Sequence, residues 1–189
     1  TRVLPNLTVF SPVDFIEAKK ATYKMAEICG PVYMRLARSP FPIITKESDP
    51  FEPGKANLVR EGKDTTIIAT GLMVSESLKA ADMLKNEGID VRVFNFHTIK
   101  PIDKETIIKS AQETGAIVTA EEHQINGGLG SAVAEVLTRN LPVPQEMVAV
   151  QDTFGESGDV EGLLKKYHLK DVDIAEAVRK VLKRKRSER

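Results

Sequence analysis

Thr65-Thr-Ile-Ile-Ala-Thr70-Gly71 is followed by Val74, Leu78, Ala81 and Leu84, then by Gly88 and Asp90-Val-Arg-Val-Phe-Asn-Phe96. This stretch decides the fold class. A β-branched, apolar run closed by glycine reads as a buried strand. Apolar residues at i, i+4, i+7 and i+10 lay one stripe along a helix. Gly88 stands where a helix needs a left-handed terminator. Strand, helix and strand in this order are the unit of a mostly parallel sheet covered on both faces.

The alternation continues downstream. Pro101 precedes a helix capped by Asp103, with Ile102 and Ile107 spaced as a hydrophobic staple. Ala116–Ala120 and Met147–Val150 read as strands, and 127–141 reads as a helix with Leu129, Val133, Val136 and Leu137 on one stripe. Helices over 160–167 and from Asp173 into the basic tail complete the chain. The expected fold is α/β.

Upstream lies a smaller unit. Leu7–Phe10 and Val32–Leu36 are strand candidates, with a helix over 15–28 capped by Asp14 and ended by Gly30-Pro31. One βαβ unit cannot bury both faces of a sheet alone, so it reads as the tail of a larger domain. Between the units, Ser39 to Lys63 holds Pro40, Pro42, Pro50 and Pro53 with Gly54 and Gly62, and reads as an ordered linker.

With 41% hydrophobic residues among 189, the chain can bury a core. No apolar run approaches the roughly 18 residues of a membrane span, and no signal peptide pattern opens the chain. It begins at Thr1, as a fragment or processed product would. The one cysteine, Cys29, suits a reducing compartment and is expected to be a small buried hydrophobe. Lysine plus arginine equal aspartate plus glutamate at 27 each, but seven of the bases lie between Arg179 and Arg189, against the single acid Glu188. This reads as a solvated tail that complements a helix dipole. It lacks the interleaved aromatics of a nucleic-acid face.

The chemistry-bearing stretch is Ala120-Glu-Glu-His-Gln-Ile-Asn-Gly-Gly-Leu-Gly-Ser-Ala-Val133, which follows a strand and opens a helix. Loops at the carboxyl ends of strands are where open α/β sheets bind ligands. A dinucleotide turn would need a glycine where Val133 stands, and Glu121–Asn126 lengthen the turn. A metal site would have to use Glu121, Glu122 and His123, adjacent residues that rarely face one ion. The plain alternative is a packed glycine turn at the boundary of two domains or two subunits, with Glu122, His123, Gly127 and Gly128 as candidate interface or active-site-proximal residues. Arg35 and Arg38 follow a strand and suit a bidentate grip on phosphate, or an ordinary ion pair. His97 ends a strand and is a second acid–base candidate with a structural alternative. His168 sits at a helix end, where positive charge is favoured. Gly158-Asp159 resembles the start of a diphosphate–magnesium motif, but Val160 replaces its second glycine.

Several stretches together resemble the C-terminal part of transketolases, particularly those split into two chains. They are Asn6-Leu-Thr-Val, Pro12-Val-Asp with Glu17, Gly30-Pro-Val-Tyr-Met-Arg-Leu-Ala-Arg38, Ala69-Thr-Gly71, Glu121-Glu-His with Gly127-Gly-Leu-Gly-Ser-Ala-Val-Ala-Glu135, and Phe154-Gly-Glu-Ser with Tyr167. The resemblance implies a pyrimidine-binding-domain remnant over 1–40, a linker over 41–63, and over 64–189 a three-layer α/β/α sandwich on a mostly parallel five-stranded sheet. It implies sugar-phosphate binding by Arg38, whose position fits Gly-Pro-x-x-x-x-x-x-Arg. Arg35 matches a second phosphate-binding arginine of deoxyxylulose-phosphate synthases.

The implied activity is transfer of a two-carbon ketol unit between sugar phosphates, in the cytoplasm and in the pentose phosphate pathway. The implied cofactors are thiamine diphosphate and magnesium, held by domains outside this chain, so that this chain alone is inactive and binds neither. The implied partner is an N-terminal transketolase subunit or domain, within a homodimer or a dimer of heterodimers. Deoxyxylulose-phosphate synthase, a 2-oxo-acid dehydrogenase β chain and a non-catalytic dimerisation or regulatory module are the alternatives.

Overall fold

Alternate side chains of a strand point to opposite faces of its sheet, and that rule builds the main domain. The computed structural model describes residues 1–38 and 41–187. In its central strand β4 (Thr65–Ala69), Ile67 and Ala69 face one apolar cluster and Ile68 faces another. The first cluster is closed by α2 (Met73–Lys85) and α6 (Asp171–Ser187), the second by α3 (Lys104–Thr114) and α4 (Leu129–Asn140). The sheet order is β3 (Asn57–Arg60), β5 (Val91–Asn95), β4, β7 (Ile117–Gln124), β8 (Gln145–Val150). All neighbours are parallel except β3, which is antiparallel to β5. This is the α/β sandwich on a five-stranded sheet that the alternation and the resemblance led us to expect.

The helix ends follow local chemistry. Asp14 and Asp103 accept amide hydrogen bonds from Glu17 and Thr106 and cap α1 (Phe15–Glu27) and α3. Ile102 and Ile107 meet in the second cluster. Gly88 takes φ +76 just beyond α2, and Ile89 N–H returns to Leu84 O, so the glycine ends that helix as its position suggested.

The smaller unit is not free-standing. Its strands β1 (Thr8–Phe10) and β2 (Val32–Met34) are parallel neighbours, and β1 also pairs antiparallel with β6 (Thr98–Lys100), which belongs to the sequence of the main domain. The seam is fastened further by Ser11 N–H to His97 O (2.8 Å) and Thr70 Oγ1 to Ser11 O (3.1 Å). Asp14 also binds the segment between the units, accepting from Ile44 N and Thr45 N.

Four details depart from the sequence reading. β3 lies inside 41–63, which reads as linker; its exposed Leu58 and Val59 on an edge strand give no alternation. β6 is an addition, because three residues before Pro101 carry no periodic signal. Cys29 is exposed rather than buried, since it lies beyond the end of α1. The basic end of α6 is largely solvent-exposed, as read, but it is also paired: Arg179 binds Glu87, Lys180 and Arg184 bind Glu146, and Lys185 donates to Asp64 O. Arg189 and Glu188 lie outside the described residues. No helix among the described residues is long and apolar enough to cross a membrane.

Candidate functional site

The polar run Glu121-Glu-His-Gln124 is not a loop but the second half of β7, which resumes pairing with β8 at Gln124 and Val150 after an irregularity. The turn before α4 is therefore short. Glu121 is buried, and its carboxylate accepts from Leu129 N (2.7 Å) and Gly130 N (2.8 Å) at the start of α4. Burial pushes its pKa up, and the two amides with the nearby His123 and Arg35 only partly oppose that. The free amides of a helix start would draw a ligand's phosphate; here the chain's own carboxylate takes that place. Gly128 makes room for it, and Gly130 makes room for Met147. A Cβ on Gly128 would lie 2.1 Å from Glu121 Oε2, and one on Gly130 would lie 2.8 Å from Met147 Sδ.

Glu122 is used separately, pairing with Arg35 across the seam at 3.1 Å. His123 is half-exposed, and its Nδ1 lies 2.7 Å from Gln124 O. A carbonyl only accepts, so Nδ1 carries the proton and Nε2 is the basic nitrogen of the neutral ring. Gly127 takes φ +83, and its carbonyl accepts from Arg2 Nε, while the rest of the Arg2 guanidinium grips Glu135. Arg2, Arg35, Glu121, His123, Gly127 and Gly128 line a cleft of about 350 Å³ between the smaller unit and the ends of β4 and β7. β4 is joined to β5 on one side and lies next to β7 on the other, so the cleft sits at the switch point of the sheet, where α/β folds place ligands.

Arg35 belongs to this cleft; Arg38 does not. Arg38 is exposed and lines a separate groove of about 530 Å³ with Val13, Phe15, Leu36, Phe41 and Ile43. The two arginines are thus not brought to one site. Among the described residues Arg38 has no ion pair.

Three other candidates have structural roles. His97 is fully buried and stacked on Phe51 at 4.2 Å, and its Nδ1 is 2.9 Å from Thr98 Oγ1. Burial lowers its pKa to about 4, so it stays neutral. His168 sits at φ +56 with Nδ1 3.2 Å from Asp173 Oδ1, beyond the end of α5 (Val160–Lys166). Asp159 caps α5 through Gly162 N. With that carboxylate engaged and the α4 start filled by Glu121, neither turn fits a diphosphate–magnesium group.

Two residues escape the sequence reading as structural agents. Glu17 is buried, accepting from Val13 N (2.7 Å) and, across the seam, from Asn95 Nδ2 (2.8 Å). The spacing Asp14-x-x-Glu17 is a capping-box signal that could have drawn attention to it. Nothing in the sequence marks Arg2.

Comparison with known proteins places the chain in a family. The model for the transketolase C-terminal domain matches residues 54–174. A protein named 6-deoxy-6-sulfo-D-fructose transketolase subunit SqwH, from Clostridium sp. (strain MSTE9), is 47% identical over 184 residues, covering 97% of this chain and 57% of that protein. One of the subunits of the apulose-4-phosphate transketolase of Phocaeicola vulgatus is 35% identical, covering 97% of this chain and 59% of that protein. A solved chain described as a split gene transketolase, inactive beta4 tetramer, superposes with a TM-score of 0.92 at 48% identity, over 96% of this chain and 59% of that one. The chain thus spans less than two thirds of each of these relatives.

Proposed function

The chain belongs to the transketolase C-terminal domain family, and on that premise we propose that it is the C-terminal part of a thiamine-diphosphate-dependent transketolase. Assembled with the N-terminal subunit or domain that holds cofactor and magnesium, it takes part in moving a two-carbon ketol unit between sugar phosphates in the cytoplasm. Its own contribution is an anion anchor and an interface.

The observation that carries this reading is Arg38. Its guanidinium stands without an ion pair among the described residues, beside an apolar groove whose Phe15, Leu36 and Ile43 are 74%, 56% and 60% exposed. A cation at the rim of an uncovered apolar surface suits an anionic sugar terminus enclosed by a second body. The names of two relatives carry a sulfo group and a phosphate, so a charged sugar end is common to both. Arg35, held by Glu122, is the weaker anchor.

The test is a coupled assay with xylulose 5-phosphate and ribose 5-phosphate, thiamine diphosphate and magnesium. The chain alone should be inactive, and its assembly with an N-terminal partner active. Arg38→Ala in the assembly should raise KM for the phosphorylated sugar about tenfold to a hundredfold, as loss of a charged hydrogen-bonding group does. Turnover by the chain alone, or an unchanged KM, defeats the respective claim. An assembly inert to these sugars that condenses pyruvate with glyceraldehyde 3-phosphate would be a deoxyxylulose-phosphate synthase.

A further inference from the structure

Glu17 holds a carboxyl in the seam with no cation bound to it among the described residues. It is 2% exposed, and its hydrogen bonds there come from Val13 N and Asn95 Nδ2. Asn95 is itself buried on β5, and its Oδ1 has no partner among the described residues. The charged groups that act on Glu17 are Asp14, at the cap of the same helix, and Lys20, one turn on. Asp14 opposes ionisation. Lys20 favours it only from a distance, since its Nζ is bound to Lys46 O and Asp49 O. The segment facing α1 adds Lys46, which is exposed, and Asp49, which accepts from Lys46 N. β5 contributes only the neutral amide of Asn95. A buried carboxylate without a cation resists ionisation.

We propose that the Glu17 carboxyl is a pH-sensitive latch: neutral, it leaves α1 seated on β5, and ionised, it places in the buried seam a charge that Val13 N and Asn95 Nδ2 offset only in part, which eases the local release of α1. Burial raises its pKa from 4.5 to about 7. A carboxyl raised on folding contributes stability that is full below 4.5 and is lost as pH rises through 7. The latch therefore loosens from mildly acidic to alkaline conditions. The inference does not depend on the transketolase reading, because its test involves no substrate.

Amide hydrogen exchange reads it directly. Between pH 6 and 8.5 the protection factors of α1 should fall about tenfold, the linkage expected for the pKa change of Glu17. Amides of β4 and β7 should keep theirs, and Glu17→Gln, which cannot ionise, should hold the protection of α1 flat. An equal fall in α1, β4 and β7, or the same fall in Glu17→Gln, overturns the latch. Should the variant fail to fold, the carboxyl carbon shift of Glu17 in the wild-type chain decides. A midpoint near 7 supports the proposal; one near 4.5 refutes it.

Discussion

Gly128→Ala should destabilise the chain by about 3 kcal/mol, the scale of a disrupted buried polar contact. The backbone itself tolerates alanine: Gly128 has φ −87 and ψ −150, an extended conformation open to any residue. The obstacle is the Glu121 carboxyl, whose Oε2 and Cδ would lie 2.1 and 2.6 Å from the new Cβ. The carboxyl cannot step aside without leaving Leu129 N and Gly130 N, and a buried carboxyl with no donors is costly. Adding Glu121→Ala to the variant should restore part of the loss, because the clash disappears with the carboxyl. Urea unfolding of both singles and the double measures this. A loss under about 1 kcal/mol for Gly128→Ala would show that the turn adapts freely.

Asp14→Ala should cost about 3 kcal/mol, more than a typical helix cap alone. The side chain accepts from Glu17 N at the start of α1 and also from Ile44 N, Thr45 N and Thr45 Oγ1 at 2.7–2.8 Å. It therefore fixes a helix and the connection between the units together. Burial alone would raise its pKa, but the donors outweigh burial and leave it below the usual 3.8. A depressed carboxyl contributes stability that is present above the unfolded value and lost as pH falls through the folded one. The gap between wild type and Asp14→Ala should thus be constant near neutrality and close under strongly acid conditions. A gap unchanged at low pH would mean that shape, not charge, is what Asp14 provides.

The main domain is legible in the sequence because its strands are buried on both faces and its helices carry their own stop and start signals. Gly88 announces the end of α2, and Asp103 with the Ile102–Ile107 pair announces the start of α3. β3 and β6 are not legible, since Asn57–Arg60 and Thr98–Lys100 are short, partly polar and defined by partners distant in sequence. The same holds for the site. The glycines of 127–130 are visible, but not that Gly128 is what makes room for Glu121. The run Glu121–Gln124 looks like loop because polar residues at the end of a strand break the apolar pattern while the backbone goes on pairing. Arg35 and Arg38, three apart, look like one grip, yet the end of β2 (Val32–Met34) sends them to separate clefts.

The shared sheet β2-β1-β6 has a practical consequence for limited proteolysis. A protease that nicks the connection at 41–56 severs the covalent link between the two units. It leaves β1 between two neighbours, Ser11 bonded to His97 and Thr70, and Arg2 bonded to Gly127 and Glu135. The nicked pieces should elute together in gel filtration and separate only in denaturant, as complementing fragments of one folded body. Neither piece is then an autonomous module for grafting or separate expression, because each supplies a strand that the other needs.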